Sequence, residues 1–225
     1  MLRKTPLIIG ETYHIYNRGA HKRNIYSSEE DYTRFMFLLF IANDPARLNM
    51  RDLLSKYRGR SFTEIFKEEK PKKSLVDVLA YSLMPNHFHL VLRQRTEQGI
   101  TFFLRKVMTG YSMYFNIKYS HSGVLLQGRF KSSHINNEPY FRYIFSYVHL
   151  NPLSLIEPKW EKLGVKDRDA ARDFMRNYKY SSYQDYAYAR RPESRLLAEI
   201  NIPEFLYRQN DLENLFQSLT EDSPL

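Results

Sequence analysis

The sequence predicts an α+β fold: an antiparallel ferredoxin-like or RRM-like sheet with helices packed on one face, followed by a C-terminal accessory region. Two observations support this prediction. Segments that alternate polar and apolar residues are interleaved with segments whose apolar residues recur at helical spacing, and the predicted order is β-α-β-β-α-β-α. A tight turn between two extended segments makes the sheet antiparallel there, which is typical of α+β sandwiches.

The first strand and helix lie in the N-terminal part of the chain. Thr12 to Arg18 alternates in the manner of a strand. Ser27 and Glu30 form a capping-box pattern ahead of the apolar residues 32–42, which predicts a helix. Residues 46–73 are charged and weakly periodic, and we interpret them as a partly helical surface insertion.

The next two strands are predicted to form a β-hairpin. Residues 76–84 and 87–93 are extended apolar segments on either side of Pro85-Asn86, which is a turn signal.

Two further helices and one extended segment complete the predicted domain. Apolar residues at helical spacing predict a second helix that begins at Thr101 and stops near Gly123, and residues 124–135 are predicted to be extended. Asn137 can cap a third helix. That helix ends at Asn151-Pro152, because a residue before proline disfavours helical geometry.

Length and composition predict one main domain with an appendage. A chain of 225 residues, 43% of them hydrophobic, can bury one core. We assign residues 1–157 to the main domain. Residues 158–225, which end in an amphipathic segment at 205–219, form an accessory region that packs on the main domain or extends it. No apolar segment is long enough to span a bilayer or to act as a secretory signal, so we expect a cytoplasmic protein that does not associate with membranes.

Composition also indicates what the chain can bind. The net charge of +9 and the pI of about 9.5 favour an anionic partner, with a basic protein that lacks one as the alternative. Lysine and arginine stand beside aromatic residues at several places. This pattern suits unpaired nucleic acid, because bases stack on rings while phosphates attract the cations. The chain has no cysteine, so any metal must be held by histidine, carboxylate, amide or tyrosine oxygen.

His87 and His89 are the candidate metal ligands. Alternate side chains of a strand share a face, so both imidazoles point the same way, about 6.6 Å apart along the chain. Neutral imidazoles are good ligands for a divalent ion if oxygen ligands complete the shell. Two unrelated histidines would explain this pair equally well, so a metal site here needs a partner residue from another element.

The third predicted helix offers that partner. At helical spacing Tyr143, Tyr147 and Asn151 lie on one face, each about 6 Å further along the axis than the last. An ordinary aromatic helix that covers a sheet is the alternative. A phenol has an ordinary pKa of about 10 and needs help to become a nucleophile, and a metal that polarises a phosphate supplies that help.

Four motifs follow one another along the chain. They are Tyr13-His14-Ile15-Tyr16-Asn17-Arg18-Gly19, Met84-Pro85-Asn86-His87-Phe88-His89, Gln127-Gly128-Arg129-Phe130-Lys131-Ser132 and Tyr147-Val148-His149-Leu150-Asn151-Pro152. In this order they resemble the motifs of the single-tyrosine HUH transposases, and among these the REP-associated tyrosine transposases. The resemblance runs from about residue 10 to 155, and Tyr180-Ser181-Ser182-Tyr183 resembles the tail motif of that group.

The resemblance implies a set of site residues. His87 and His89 correspond to the metal ligands and Tyr147 to the nucleophile. Asn151 corresponds to the residue whose amide oxygen completes the ligand set for Mg²⁺ or Mn²⁺. Tyr143 is the rival nucleophile, but the residue four positions later would then be Tyr147, a poor third ligand.

The resemblance also implies a reaction. A DNA transposase or endonuclease of this kind cleaves and rejoins single-stranded or hairpin DNA through a 5′-phosphotyrosine, at hairpin or palindromic sequences. The adduct keeps the bond energy, so no nucleotide cofactor is expected, and the chain has no GxxxxGK[ST] phosphate loop. Two other functions remain open: a non-catalytic module that binds single-stranded nucleic acid, and a metal-dependent phosphodiesterase that uses water.

Several cationic and histidine side chains remain to be placed. Arg129 and Lys131 are the best candidates for phosphate contacts and Arg18 is a weaker one, with solvated surface charges as the alternative. We assign no role to His14, and His149 is expected to point away from the face of Tyr147. Relatives in the wider family work as dimers that exchange tyrosine helices, so a homodimer and a monomer both remain open.

Overall fold

The structure is a computed structural model that describes residues 6–45, 59–61, 64–66 and 73–198. Its strands are β1 (Thr12–Arg18), β2 (Val76–Met84), β3 (His87–Gln94) and β4 (Lys131–Ile135). Its α-helices are α1 (Glu29–Ile41), α2 (Gly99–Lys118), α3 (Glu138–Leu150), α4 (Trp160–Leu163), α5 (Arg168–Asn177) and α6 (Tyr183–Ala187). Short 3₁₀ helices span Ala20–Lys22, Asn151–Leu155 and Pro192–Leu196.

The four strands form one antiparallel sheet in the order β2-β3-β1-β4. β1 lies between β3 and β4, and its register places Tyr16 opposite both His89 and Lys131. Arg18 is opposite His87. The predicted hairpin, the antiparallel sheet and the α+β fold class are therefore confirmed.

One face of the sheet is covered by α1 and α2, as predicted. Strand alternation directs Ile15, Phe88 and Leu90 towards these helices, and all three are fully buried. Phe35 of α1 packs on Phe88, with ring centroids 5.1 Å apart. This layer is the larger of the two hydrophobic clusters among the described residues.

The opposite face is covered by α3, and the prediction that the helices share one face was wrong. Ile144, Phe145 and Val148 of α3 bury against a second apolar set that includes Ala80 and Val91 of the sheet. β2 is buried at all nine positions, so it presents apolar side chains to both faces. Apolar side chains on the second face must also be shielded from water, and α3 packs over them.

The predicted element boundaries need small corrections. The capping box at the start of α1 is formed by Ser28 and Asp31 rather than by Ser27 and Glu30. The Asp31 carboxylate accepts hydrogen bonds from the Ser28 and Ser27 backbone N–H groups at 3.0 and 2.8 Å. α2 begins at Gly99, two residues before the predicted start. Of the segment predicted to be extended, only the last five residues form a strand.

The described part of the accessory region covers the free edge of β2. Backbone N–H groups of Leu83, Ser182 and Ala198 donate to the carbonyls of Tyr180, Tyr81 and Val78 at 2.9, 3.0 and 2.9 Å. An edge strand is thereby paired along part of its length. The boundary after residue 157 stays a prediction.

Two predictions fall wholly or largely outside the described residues: the surface insertion at 46–73 and the amphipathic end at 205–219. Among the helices that the structure describes, none combines the length and the apolar composition needed to cross a bilayer.

Candidate active site

His87 and His89 of β3 point to the face of the sheet that α3 covers. Their ring centroids are 5.0 Å apart and the ring planes are nearly perpendicular, at 88°. The shared face follows from strand alternation, as predicted. The end of α3 brings Asn151 to the same place, with its Oδ1 3.2 Å from Nε2 of His87.

The His87 ring has an amide oxygen at each nitrogen. Nδ1 is 2.5 Å from Oδ1 of Asn86, and Nε2 faces Oδ1 of Asn151. Burial lowers the pKa of His87, the charge of Arg18 adds to this effect, and the contact with Asn151 opposes it. A neutral imidazole carries one N–H, and the shorter contact with Asn86 is the better place for it. The lone pairs of Nε2 and of the Asn151 oxygen then face each other.

A divalent cation fits between these two lone pairs. Two ligand atoms about 2.1 Å from a cation such as Mg²⁺ lie roughly 3 Å apart along the edge of an octahedron, close to the separation seen here. Burial also lowers the pKa of His89 well below its ordinary value, and His14 and His87 add to this effect, so its imidazole is neutral as well. Among the described residues there is no metal-binding cluster of three or more His, Asp or Glu side chains. A metal bound by His87 and His89 would need a further ligand, and the Asn151 amide oxygen is the candidate.

His14 of β1 belongs to the site, although no role was expected for it from the sequence. Its Nε2 lies 2.8 Å from Nδ1 of His89, and the two rings stack with centroids 5.1 Å apart. Burial lowers the pKa of His14 to about 4, so this is a hydrogen bond between two neutral rings. If Nδ1 of His89 donates, its Nε2 is left with a lone pair for a metal. The alternation of His14, Tyr16 and Arg18 was the available signal, but it does not reveal that β1 neighbours β3.

Tyr147 of α3 lies above the histidines. Its ring meets those of His89 and His14 edge-on, with centroids 5.5 and 6.1 Å apart. The pKa of Tyr147 is raised to about 12, first by burial and then by the Glu161 carboxylate, Tyr143 and Tyr16. A hydrogen bond with the Asn151 side chain acts in the opposite direction. The phenol is therefore protonated at neutral pH and needs assistance to act as a nucleophile.

Tyr143, the rival nucleophile, lies one helical turn away from this arrangement. It stacks on Tyr147 with ring centroids 6.3 Å apart and an interplanar angle of 13°. Its other ring contact is with Tyr140, whereas Tyr147 contacts both His14 and His89. Of the two tyrosines, Tyr147 is therefore the one that lies against the histidines.

His149 lies on the opposite side of α3, as expected. Its Nε2 is 2.7 Å from Oγ of Ser182, and the Ser182 backbone is in turn bonded to Tyr81 of β2. Burial lowers the pKa of His149 to about 3, so the ring is neutral. This buried hydrogen bond links the helix that carries Tyr147 to the accessory region.

A pocket of about 350 Å³ opens beside His87. Its lining includes Tyr16 and three cations, Arg18, Lys22 and Lys131, and none of the described residues that line it is acidic. Two of the predicted phosphate contacts, Arg18 and Lys131, are thus brought together. Arg129 is exposed on the loop before β4 and is not one of the described residues that line the pocket.

Comparisons with known proteins agree with this geometry. A family model described as IS200-like transposase matches residues 47–151. A solved structure described as a REP-associated tyrosine transposase bound to a REP hairpin is similar, with a TM-score of 0.51 and 12% sequence identity, over 83% of this chain and 84% of that chain. A comparison with curated proteins gave no match. The structural likeness shows a shared fold, and the match of residues 47–151 to the IS200-like transposase model confirms the resemblance that the motifs indicated.

Proposed function

We propose that this chain is a metal-dependent, single-strand DNA transposase or nickase in which Tyr147 attacks a phosphodiester. One observation carries the proposal: the phenol of Tyr147, the amide of Asn151 and the imidazole pair of His87 and His89 converge on one face of the sheet. The Asn151 amide oxygen faces Nε2 of the half-buried His87 ring and so supplies an oxygen ligand beside the imidazole pair.

The proposed reaction is a transesterification. The phenolic oxygen of Tyr147 loses its proton and bonds to phosphorus, and the bond from phosphorus to the 3′ oxygen breaks. That oxygen takes up a proton and leaves as a free 3′-OH, while the 5′ side of the DNA stays on the protein as a phosphotyrosine. Attack by a 3′-OH on this adduct reverses the step and rejoins DNA. Each step exchanges one phosphoester bond for another, so no nucleotide cofactor is needed.

His87, His89 and Asn151 would hold the divalent cation, Mg²⁺ or Mn²⁺. When bound, such a cation polarises the phosphate and offsets charge on the leaving oxygen. The protein itself contributes position. The ring of His89 packs edge-on against Tyr147, and the neighbouring Asn151 side chain lowers the pKa of the phenol, so the nucleophile is held beside the ligand set.

The proposed substrate is single-stranded or hairpin DNA. Arg18 and Lys131 line an opening beside His87, and Arg129 lies two residues before Lys131, so these cations can contact backbone phosphates on the way to Tyr147. The hairpin bound to the similar REP-associated transposase supports hairpin DNA as the substrate class.

The nucleophile is tested by covalent capture. End-labelled hairpin and single-stranded DNA, incubated with the protein and Mg²⁺ or Mn²⁺, should give an adduct that survives denaturation. Tyr147→Phe should abolish it, and Tyr143→Phe, which removes the neighbouring hydroxyl on the same helix face, should retain it. An adduct that persists in Tyr147→Phe and disappears in Tyr143→Phe would reverse the assignment.

The same assay separates the alternative functions. DNA binding with neither adduct nor cleavage would support a non-catalytic single-strand-binding module. Cleavage without an adduct would support a phosphodiesterase that uses water.

The metal ligands are tested without activity. Calorimetric titration with Mn²⁺ should show one site that is lost in the double variant His87→Ala, His89→Ala. Asn151→Ala should weaken the site and Asn151→Asp should keep it, because the carboxylate still supplies an oxygen ligand. Equal Mn²⁺ affinity in Asn151→Ala and in the unchanged protein would contradict the ligand role of Asn151.

A further inference from the structure

We propose that the pocket beside His87, here called the Tyr16 pocket, binds one unpaired nucleotide, with the base stacked on Tyr16 and the backbone held by Lys22 and Lys131. The inference rests on the proposed function for where this nucleotide lies, next to the phosphate that Tyr147 attacks. The binding itself requires neither metal nor cleavage.

The first observation is the position of Tyr16 on the sheet. Tyr16 lies on the same face of the sheet as the candidate ligands, directly opposite His89 in the register of β1 and β3. One side of its ring packs on the imidazoles, with centroids 5.1 Å from His14 and 5.9 Å from His89. The side chain is only half-buried and also lines the pocket. A ring that packs on one side and lines a pocket can take a stacked base, and the exposed Lys131 side chain, whose ammonium lies over the ring, would then turn towards the phosphate.

The second observation is the positive charge around the pocket. The Lys131 ammonium lies 5.9 Å from the centre of the Tyr16 ring, and Lys22 and Arg18 stand around the same opening. Nε of Arg18 donates to Oε1 of Gln127 at 2.6 Å, which fixes the guanidinium at the rim. Three cations and no acidic side chain among the described lining residues favour an anionic ligand. An aromatic ring surrounded by cations suits a nucleotide, because the base can stack on the ring while its phosphates contact the cations.

The third observation is the backbone conformation at Lys22. His21 and Lys22 have φ angles of +54° and +61°, in the left-handed region that residues other than glycine rarely adopt. The loop is fixed in this conformation, because the Gly19 N–H donates to the Asn86 carbonyl at 2.8 Å and a Cβ at Gly19 would lie 2.1 Å from the Arg23 carbonyl oxygen. Strained backbone of this kind is concentrated at binding sites. Here it holds Lys22 against the turn that precedes His87.

The pocket is small enough to take one nucleotide rather than a duplex. Its volume of about 350 Å³ lies near the lower end of the range for small-molecule sites. Because His87 is part of its wall, a nucleotide in the pocket is a direct neighbour of a phosphate placed over the ligand set. The Tyr16 pocket therefore selects an unstacked, unpaired base beside the scissile bond.

The test compares two polymers that differ only in the bases. Binding of an oligothymidylate of about twelve nucleotides and of a baseless tetrahydrofuran phosphodiester of equal length is measured by fluorescence anisotropy in EDTA. Tyr16→Ala should weaken oligothymidylate binding by about 5- to 100-fold and leave the baseless polymer unchanged, and Tyr16→Phe should bind as the unchanged protein does. Tyr188→Ala, which removes an exposed tyrosine of the accessory region, is the matched control and should bind normally. Equal weakening of both polymers, or of neither, would overturn the proposal.

A second measurement needs no variant. Single strands that carry 5-iodouracil crosslink to stacked aromatic side chains on irradiation, and peptide mapping should locate the crosslink at Tyr16. Crosslinks found only at other aromatic residues would overturn the stacking role even if Tyr16→Ala failed to fold. Both measurements are made without divalent metal, so their failure is distinct from a missing Tyr147 adduct, which would overturn the proposed reaction instead.

Discussion

Acidification should lower the free energy of unfolding through the titration of His149. The hydrogen bond between His149 and Ser182 holds helix α3, which carries Tyr147, to the accessory region. Burial lowers the pKa of His149 from 6.5 to about 3. Below pH 6.5 His149 is therefore protonated in the unfolded chain, whereas it stays neutral in the folded chain until the pH approaches about 3. The free energy of unfolding contributed by His149 is present in full above that pH and is lost as the pH falls towards the folded-state pKa.

The magnitude follows from the width of that interval. One pH unit corresponds to about 1.36 kcal/mol, so acidification to about pH 5.0 should cost about 2 kcal/mol at this residue alone. His149→Gln keeps a hydrogen-bonding group but cannot titrate, so the variant should lose about 2 kcal/mol less than the unchanged protein over the same interval. His14, whose pKa burial also lowers, adds the same kind of loss to both proteins and cancels in the comparison.

Urea unfolding followed by circular dichroism at about pH 7.5 and about pH 5.0 measures the difference directly. His21→Gln, at an exposed position, is the control and should behave as the unchanged protein does. An equal loss of stability in His149→Gln and in the unchanged protein would refute the reasoning. It would mean that His149 is charged in the folded state, or that α3 is not held as described.

Three further predictions concern the site. His14→Leu should weaken Mn²⁺ binding by about 10- to 100-fold in calorimetry, because His89 loses the partner that orients its ring, and unchanged affinity would exclude this role. Lys131→Ala should reduce the slope of log binding constant against log salt by about 0.7 for single-stranded DNA, whereas the exposed Lys159→Ala should not, and equal slopes would place Lys131 outside the DNA path. Glu161→Gln should shift the pH profile of adduct formation to lower pH, because the Glu161 carboxylate raises the pKa of Tyr147, and an unshifted profile would show that Tyr147 ionisation does not limit the reaction.

The fold was predicted well where it depends on local patterns and less well where it depends on packing. The hairpin on either side of Pro85-Asn86 and the helix that Asn137 caps lie where the sequence placed them. The start of α1 was misplaced by one residue, because Asp31 and Glu30 offer the same cap chemistry. Only the tertiary environment shows that Asp31 is the buried one, where it also accepts hydrogen bonds from Lys118 and Tyr119.

The face chosen by α3 could not be derived from its sequence. Its apolar side requires a partner surface, but both faces of the sheet offered one, since β2 is apolar on both sides. Whether Tyr147 lay over the histidines or on the far side of the sheet was therefore open until the packing was known. The motif resemblance supplied this expectation, and the packing of Tyr147 against His89 is consistent with it.

Local sequence patterns were enough to predict which side chains of a single element act together. His87 and His89 share a face because side-chain direction alternates along a strand, and Tyr147 and Asn151 share one because four residues make about one helical turn. The tertiary structure was needed to show which elements come into contact. It brought His14 to His89, opened a pocket beside Tyr16 and placed Asn151 over His87, because strand order and helix docking depend on contacts between residues far apart in the chain.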